Sequence, residues 1–185
     1  MEIEKSRRGE YFARIDSDDL WEKNKLEIQV EYLKEHPEHK ICFTHVSIID
    51  ENDQVVDSDL EKLYAVDYER QEEWLETFFF LGNCLPMTSV LMTTKIMVEI
   101  GDFNIAYRQL HDFDYWIRIA KRYPMAVIPE KLVRIRRYES ETNNSNISEK
   151  NMTRTYNEYV DIRKHFFDEM SDVVFKKNIW KIFKK

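Results

Sequence analysis

The sequence predicts an α/β fold: an incomplete mixed sheet flanked by helices, followed by a helical carboxyl-terminal extension. Two observations carry this. Short apolar runs, such as Tyr11 to Ile15 and Ala126 to Ile128, alternate with longer amphipathic stretches at helical spacing. The chain of 185 residues is 43% hydrophobic and 14% aromatic, enough to bury one sizeable core.

Tyr11-Phe12-Ala13-Arg14-Ile15 reads as a buried strand that delivers Asp16-Ser17-Asp18-Asp19 to its carboxyl end, where open α/β sheets place ligands. A helix is expected from Leu20, with Leu26, Val30 and Leu33 as its apolar stripe and Pro37 as its stop. Ile41 to Thr44 and Val46 to Ile49 read as strand material, with a polar turn at Asp50 to Gln54 and a return through Val55-Val56. Tyr68 to Leu81 is a helix whose aromatic face, from Trp74 to Phe79, is buried or turned to a ligand. Met87 to Thr93 reads as a strand, and Thr94 to Ile100 as a short helix stopped by Gly101. Trp116, Ile119, Ala120 and Tyr123 mark a helix after Asp112 that Pro124 ends. Ala126 to Ile128 and Leu132 to Ile135 give two short strands, Glu139 to Ser148 a loop, and the remainder a helix.

Composition removes several function classes. A net charge of -7 argues against sequence-independent binding to a phosphate backbone, so no nucleic-acid partner is expected. Three glycines, Gly9, Gly82 and Gly101, cannot build a phosphate loop or a dinucleotide fingerprint. A diphosphate would then need a carboxylate-held metal ion. Cys42 and Cys84 are too few for a disulfide framework, which points to a reducing cytoplasm. The sequence has neither an apolar run long enough to cross a bilayer nor an apolar signal core at its amino terminus.

Three clusters could carry chemistry, and each has a bland alternative. Asp16 and Asp18, one residue apart on a tight turn, can direct two oxygens at one hard divalent cation. Equally, Asp19 could cap the following helix, with Glu22 completing a capping box. His111-Asp112-Phe113-Asp114 places carboxylates at a helix entry, where one of them can act as a general base toward a sugar hydroxyl or serve only as a cap. Arg134-Ile135-Arg136-Arg137 could contact a diphosphate, or its cations could pair with surface acids.

In order and spacing these pieces resemble glycosyltransferase family 2, whose members have the GT-A fold. The resemblance rests on Gly9 to Trp21, on Leu26 with Gln29 to Leu33, on Ser89 to Met92, on Ile100 to Phe103, on Asp112 to Ala120, and on Ile128 to Arg136. It implies a truncated GT-A domain over residues 1–142, from just before the DxD motif onward, with 143–185 as a helical extension. Asp16 and Asp18 are similar to the family's DxD pair, which holds the metal and the nucleotide, and Asp112 to its catalytic base. The implied reaction is inverting transfer of a sugar from a nucleoside diphosphate sugar to a saccharide or lipid-linked acceptor, with Mg²⁺ or Mn²⁺ as cofactor. Arg136 would contact the diphosphate.

The sequence departs from the family pattern at His111, where an acidic residue usually stands, and at Tyr138, where a histidine is common. His111 is therefore a candidate metal ligand. The strand-helix units that bind the base in this family would precede the present start, so these residues alone are expected to transfer no sugar and to bind nucleotide weakly. An exposed sheet edge there would favour a homodimer. The lysine-rich tail from Lys176 to Lys185, interleaved with Ile179, Trp180, Ile182 and Phe183, is compatible with peripheral contact at the inner face of a membrane. The competing reading is a non-catalytic interaction module or remnant, contacting a partner through the aromatic helix.

Overall fold

The computed structural model describes residues 9–138 and 149–176. The expected loop from Glu139 to Ser148 and most of the basic tail lie outside the described residues.

Five strands form one mixed sheet in the order β1-β4-β3-β5-β2. They are β1 (Tyr11–Ala13), β2 (Leu20–Trp21), β3 (Ile41–Ile49), β4 (Leu91–Thr93) and β5 (Ala126–Arg136). The centre is the parallel pair β3 and β5, with register from Cys42 opposite Ala126 to Ile49 opposite Arg136. The remaining pairs, β1 with β4, β4 with β3, and β2 with β5, are antiparallel.

Side chains alternate across the sheet, as the two-residue strand period requires. Ile41, Phe43, Met92 and Val127 enter the large core with Trp74, Phe78, Phe113 and Trp116, which come from α3 (Gln71–Phe80) and α5 (His111–Ala120). Cys42, Leu91, Ala126 and Ile128 face the other way, against Leu33 of α1 (Lys25–Glu35). Val46, Ile48, Val133 and Ile135 form a third cluster with Leu60 and Tyr64 of α2 (Asp59–Tyr64). Helix α6 (Glu149–Lys164) joins the large core through Ile162, and Phe166 follows it there. A three-residue turn, α7 (Asp172–Val174), ends the described chain.

Several local expectations change. The expected buried strand β1 is half-buried at the sheet edge and, among the described residues, pairs only with β4. The helix expected from Leu20 begins at Lys25, because Leu20 and Trp21 are taken by pairing with Arg134 and Val133. Its inner face is Lys25, Gln29 and Leu33, while Leu26 is exposed. The two runs around His45 are one strand, joined through a register irregularity at Thr44 to Val46. The two runs around Pro129 are likewise one strand, β5, in which Pro129 and Glu130 drop out of the ladder between Ile128 and Lys131. Met87 to Ser89 is a 3₁₀ turn, and the strand begins only at Leu91. Helix α4 (Thr94–Ile100) has the expected bounds and ends at Gly101, whose φ of 86° suits a residue without Cβ.

The aromatic helix offers no docking face of the kind expected. Trp74, Leu75 and Phe78 are fully buried, and the Trp74 indole donates to the Met125 carbonyl at 3.1 Å. Phe79 packs on Phe166 and Phe167. Burying this face against α5 and α6 removes far more apolar surface from water than a weakly held partner could.

Candidate active site

The turn after β1 is shaped by its own backbone and by the end of β5. The Asp19 amide donates to the Asp16 carbonyl at 3.1 Å, closing the turn. The Asp19 carboxylate is buried and accepts from the Arg136 amide at 3.0 Å, and burial raises its pKa. Arg136 in turn donates through Nε to the Asp18 carbonyl at 2.9 Å and through Nη1 to the Asp50 carbonyl at 2.6 Å. Its Nη2 pairs with the Asp53 carboxylate.

Asp19 and Glu22 therefore do not form a capping box. Glu22 binds the Arg134 guanidinium at 2.6 Å, and the first amides of α1 receive no side-chain cap. With these contacts made, the side chains of Asp16 and Asp18 are left half-exposed.

Arg14 connects this turn to α5. Its guanidinium pairs with Asp16 Oδ1 at 3.0 Å through Nη2 and at 3.2 Å through Nε, and its Nη1 lies 3.4 Å from His111 Nε2. One planar cation thus spans the acidic turn and the first residue of α5. The ring of His111 also rests edge-on against Phe103, with centroids 5.9 Å apart.

Asp112 is set deeper. Its Oδ1 accepts from the Phe113 amide at 2.7 Å, and its Oδ2 from Asn83 Nδ2 at 3.1 Å. Burial pushes its pKa up, while His111, the Phe113 amide and the Asn83 amide pull the other way. Leu110, not Asp112 or Asp114, occupies the cap position of α5. Asp114 instead pairs with Arg118 at 3.0 Å, one helical turn on. Tyr64, whose pKa burial raises, feels the charges of both Arg137 and Asp112.

Two residues that sequence reasoning missed hold this arrangement. Asn83 fixes Asp112 while its own Oδ1 accepts from the Leu85 amide at 3.1 Å and its amide donates to the Tyr159 hydroxyl at 3.3 Å. Glu158, buried on α6, accepts from three consecutive amides: Arg108 at 3.0 Å, Gln109 at 2.9 Å and Leu110 at 2.9 Å. These are the residues that lead into α5. Asn83 follows Gly82 at the end of α3, a weak signal for a special turn; a glutamate on a helix gives no signal at all.

Residues 5–94 match the family model described as glycosyl transferase family 2. An uncharacterized glycosyltransferase of Methanocaldococcus jannaschii is 28% identical over 130 residues, covering 70% of this chain and 42% of that protein. One from Rickettsia typhi is 23% identical over 149 residues, covering 78% and 45%. Another, from Rickettsia conorii, is 28% identical over 155 residues, covering 80% and 24%. The chain thus spans less than half the length of each of these relatives.

The crystal structure of S. aureus TarS superposes with a TM-score of 0.51 at 12% identity, covering 92% of this chain and 31% of that one. That likeness speaks to the fold alone. Taken with the five-stranded mixed sheet and its flanking helices, these matches support a glycosyl transferase family 2 domain that takes in residues 5–94, on an α/β fold of GT-A type.

Proposed function

We propose that this chain forms the metal-binding and acceptor-side half of a nucleotide-sugar-dependent glycosyltransferase, over residues 1–142, with 143–185 as a helical extension. The observation that carries the reading is the Arg14 guanidinium, which reaches both Asp16 and His111 and so sets the acidic turn beside the entry of α5.

The donor set suits a hard cation. Asp18 is half-buried, and no side-chain donor among the described residues reaches its carboxylate. A cation such as Mg²⁺ or Mn²⁺, held by Asp18 and Asp16, would neutralise charge on the leaving diphosphate. Asp112 would accept the proton of the acceptor hydroxyl as its oxygen bonds to the anomeric carbon from the face opposite the diphosphate. The anomeric carbon-oxygen bond breaks and its electron pair leaves with the diphosphate, which inverts the configuration. Burial raises the pKa of Asp112 and so strengthens it as a base, and the Asn83 amide orients it. His111 could join the cation only by turning from Arg14. Arg136, tied to Asp18, Asp50 and Asp53, supports the turn first and a diphosphate second.

The acceptor is a saccharide or a lipid-linked, cell-envelope sugar, and the site works from the cytoplasmic side of the membrane. No helix among the described residues is long and apolar enough to cross a membrane. A homodimer covering the β1 edge accords with that strand's single partner. A second reading, a non-catalytic remnant or interaction module, is favoured by the Arg14 pair that already neutralises Asp16.

Calorimetric titration of uridine and guanosine diphosphate with and without Mn²⁺ separates the two. On the transferase reading, weak binding by these residues is Mn²⁺-dependent, falls at least tenfold in Asp18→Asn and is unchanged in Asp112→Asn. Binding indifferent to both Mn²⁺ and the Asp18 change would overturn it.

A further inference from the structure

The turn that joins α1 to β3 gathers His36, Glu38 and His39 so that one ligand atom of each lies within 4.8 Å of the others. We propose that this turn is a second metal site, suited to a borderline divalent ion such as Zn²⁺ and separate from the carboxylate pair at Asp16 and Asp18.

The backbone is already in place for it. The His39 amide donates to the His36 carbonyl at 3.0 Å, closing a four-residue turn with Pro37 at its second position, where the fixed φ of proline is favoured. Such a turn puts its first and fourth side chains on one side. The His36 amide also closes the last turn of α1 onto the Tyr32 carbonyl at 2.9 Å, and the negative end of that helix favours a cation.

The rings are supported from behind, as metal-ligating histidines generally are. Tyr32 stacks on His39 with centroids 5.8 Å apart and planes 9° apart, and its hydroxyl lies 3.2 Å from His39 Nδ1. With Nδ1 bonded to the hydroxyl, Nε2 of His39 is the ligating atom. His36 sits 4.5 Å from Tyr32, ring to ring, and its Nδ1 is 3.4 Å from Glu38 Oε1. Two imidazole nitrogens and one carboxylate oxygen, with water completing a tetrahedron, are a zinc donor set rather than a magnesium one. Ligand atoms around tetrahedral zinc stand about 3.4 Å apart, so modest side-chain rotation closes the site.

Sheet register puts this turn far from the candidate active site. Ala13 and Cys42 both lie level with Leu91, and β1 runs on from Ala13 toward Asp16 while His39 precedes Cys42. The two sites are therefore at opposite ends of the sheet. The ion would clamp the end of α1 to the start of β3.

The test is titration of the chelator-treated chain with Zn²⁺ by calorimetry, and with Co²⁺ followed by its visible absorption. One equivalent is expected to bind. Asp18→Asn should leave the affinity unchanged, and the double variant His36→Asn with His39→Asn should weaken it at least tenfold. Because loss of His39 disturbs Tyr32, circular dichroism checks the fold, and His36→Asn alone, at a half-exposed ring, provides a second measure. Zinc affinity that is undiminished in the histidine variants, that falls instead with Asp18→Asn, or that is absent from the wild-type chain would overturn the proposal.

Discussion

Lys25 is fully buried, with its ammonium donating to Gln29 Oε1 at 2.6 Å and lying 4.2 Å from the centre of the Trp21 ring. Among the described residues no carboxylate pairs with it, and burial lowers its pKa from 10.5 to about 8. Between those two values the unfolded chain holds more protons than the folded one, so this residue makes stability rise with pH across that window. Below it both states are protonated and the desolvation cost is felt in full. Lys25→Met is therefore expected to stabilise the protein at neutral pH, on the order of 1 to 3 kcal/mol. Its advantage over wild type should shrink from pH 8 to pH 10, as read from urea midpoints. A constant difference would mean that the lysine keeps its proton when buried.

At the scale of elements, the segment entering α5 depends on Glu158 of α6, which satisfies three amides at 2.9 to 3.0 Å. Glu158→Ala would remove the acceptor from all three, of which the Leu110 amide is buried, and is expected to cost on the order of 3 kcal/mol in chemical denaturation. Glu158→Gln, which keeps an acceptor oxygen but not the charge, should lose less. Gly82 poses a complementary test at the end of α3. It has a φ of 104°, and a Cβ there would stand 2.8 Å from the Tyr159 hydroxyl. Gly82→Ala should lower the thermal midpoint by several degrees and loosen Asn83, which the Tyr159 hydroxyl holds.

The same elements explain what could be read in advance. Helix α4 was legible because its ending is local: a glycine with positive φ follows the last apolar residue. The start of α1 was not, since Asp19 and Glu22 imitate a capping box although their partners, Arg136 and Arg134, lie 117 and 112 residues away along the chain. Strand β3 looked like two runs because His45 interrupts its apolar pattern, while the ladder carries on through the irregularity. For the site, the acids at 16, 18 and 112 stood out by type and order. Arg14, Asn83 and Glu158 did not, because each works through a distant partner that only the fold supplies.

Across the whole molecule, one core runs beneath both the sheet helices and the carboxyl-terminal helix. Ile162 and Phe166 are buried in the same cluster as Trp74 and Trp116. The Tyr107 hydroxyl adds a bond to Asp161 at 2.7 Å, so the segment before α5 is fastened to α6 at several points. A polypeptide ending at residue 142 would lose all of these contacts. It is expected to give a lower and broader thermal transition than the full chain, which calorimetric scanning would register.

The triple acceptor at Glu158 also sets a timetable. A ribosome works from the amino terminus, so the acidic turn and most of the sheet emerge well before residue 158 does. Until that carboxylate leaves the exit tunnel, the amides of Arg108, Gln109 and Leu110 lack this acceptor, and the segment that leads into α5 is not yet fastened. Nascent chains should therefore acquire their sheet first and a fastened entry to α5 only once residue 158 has emerged.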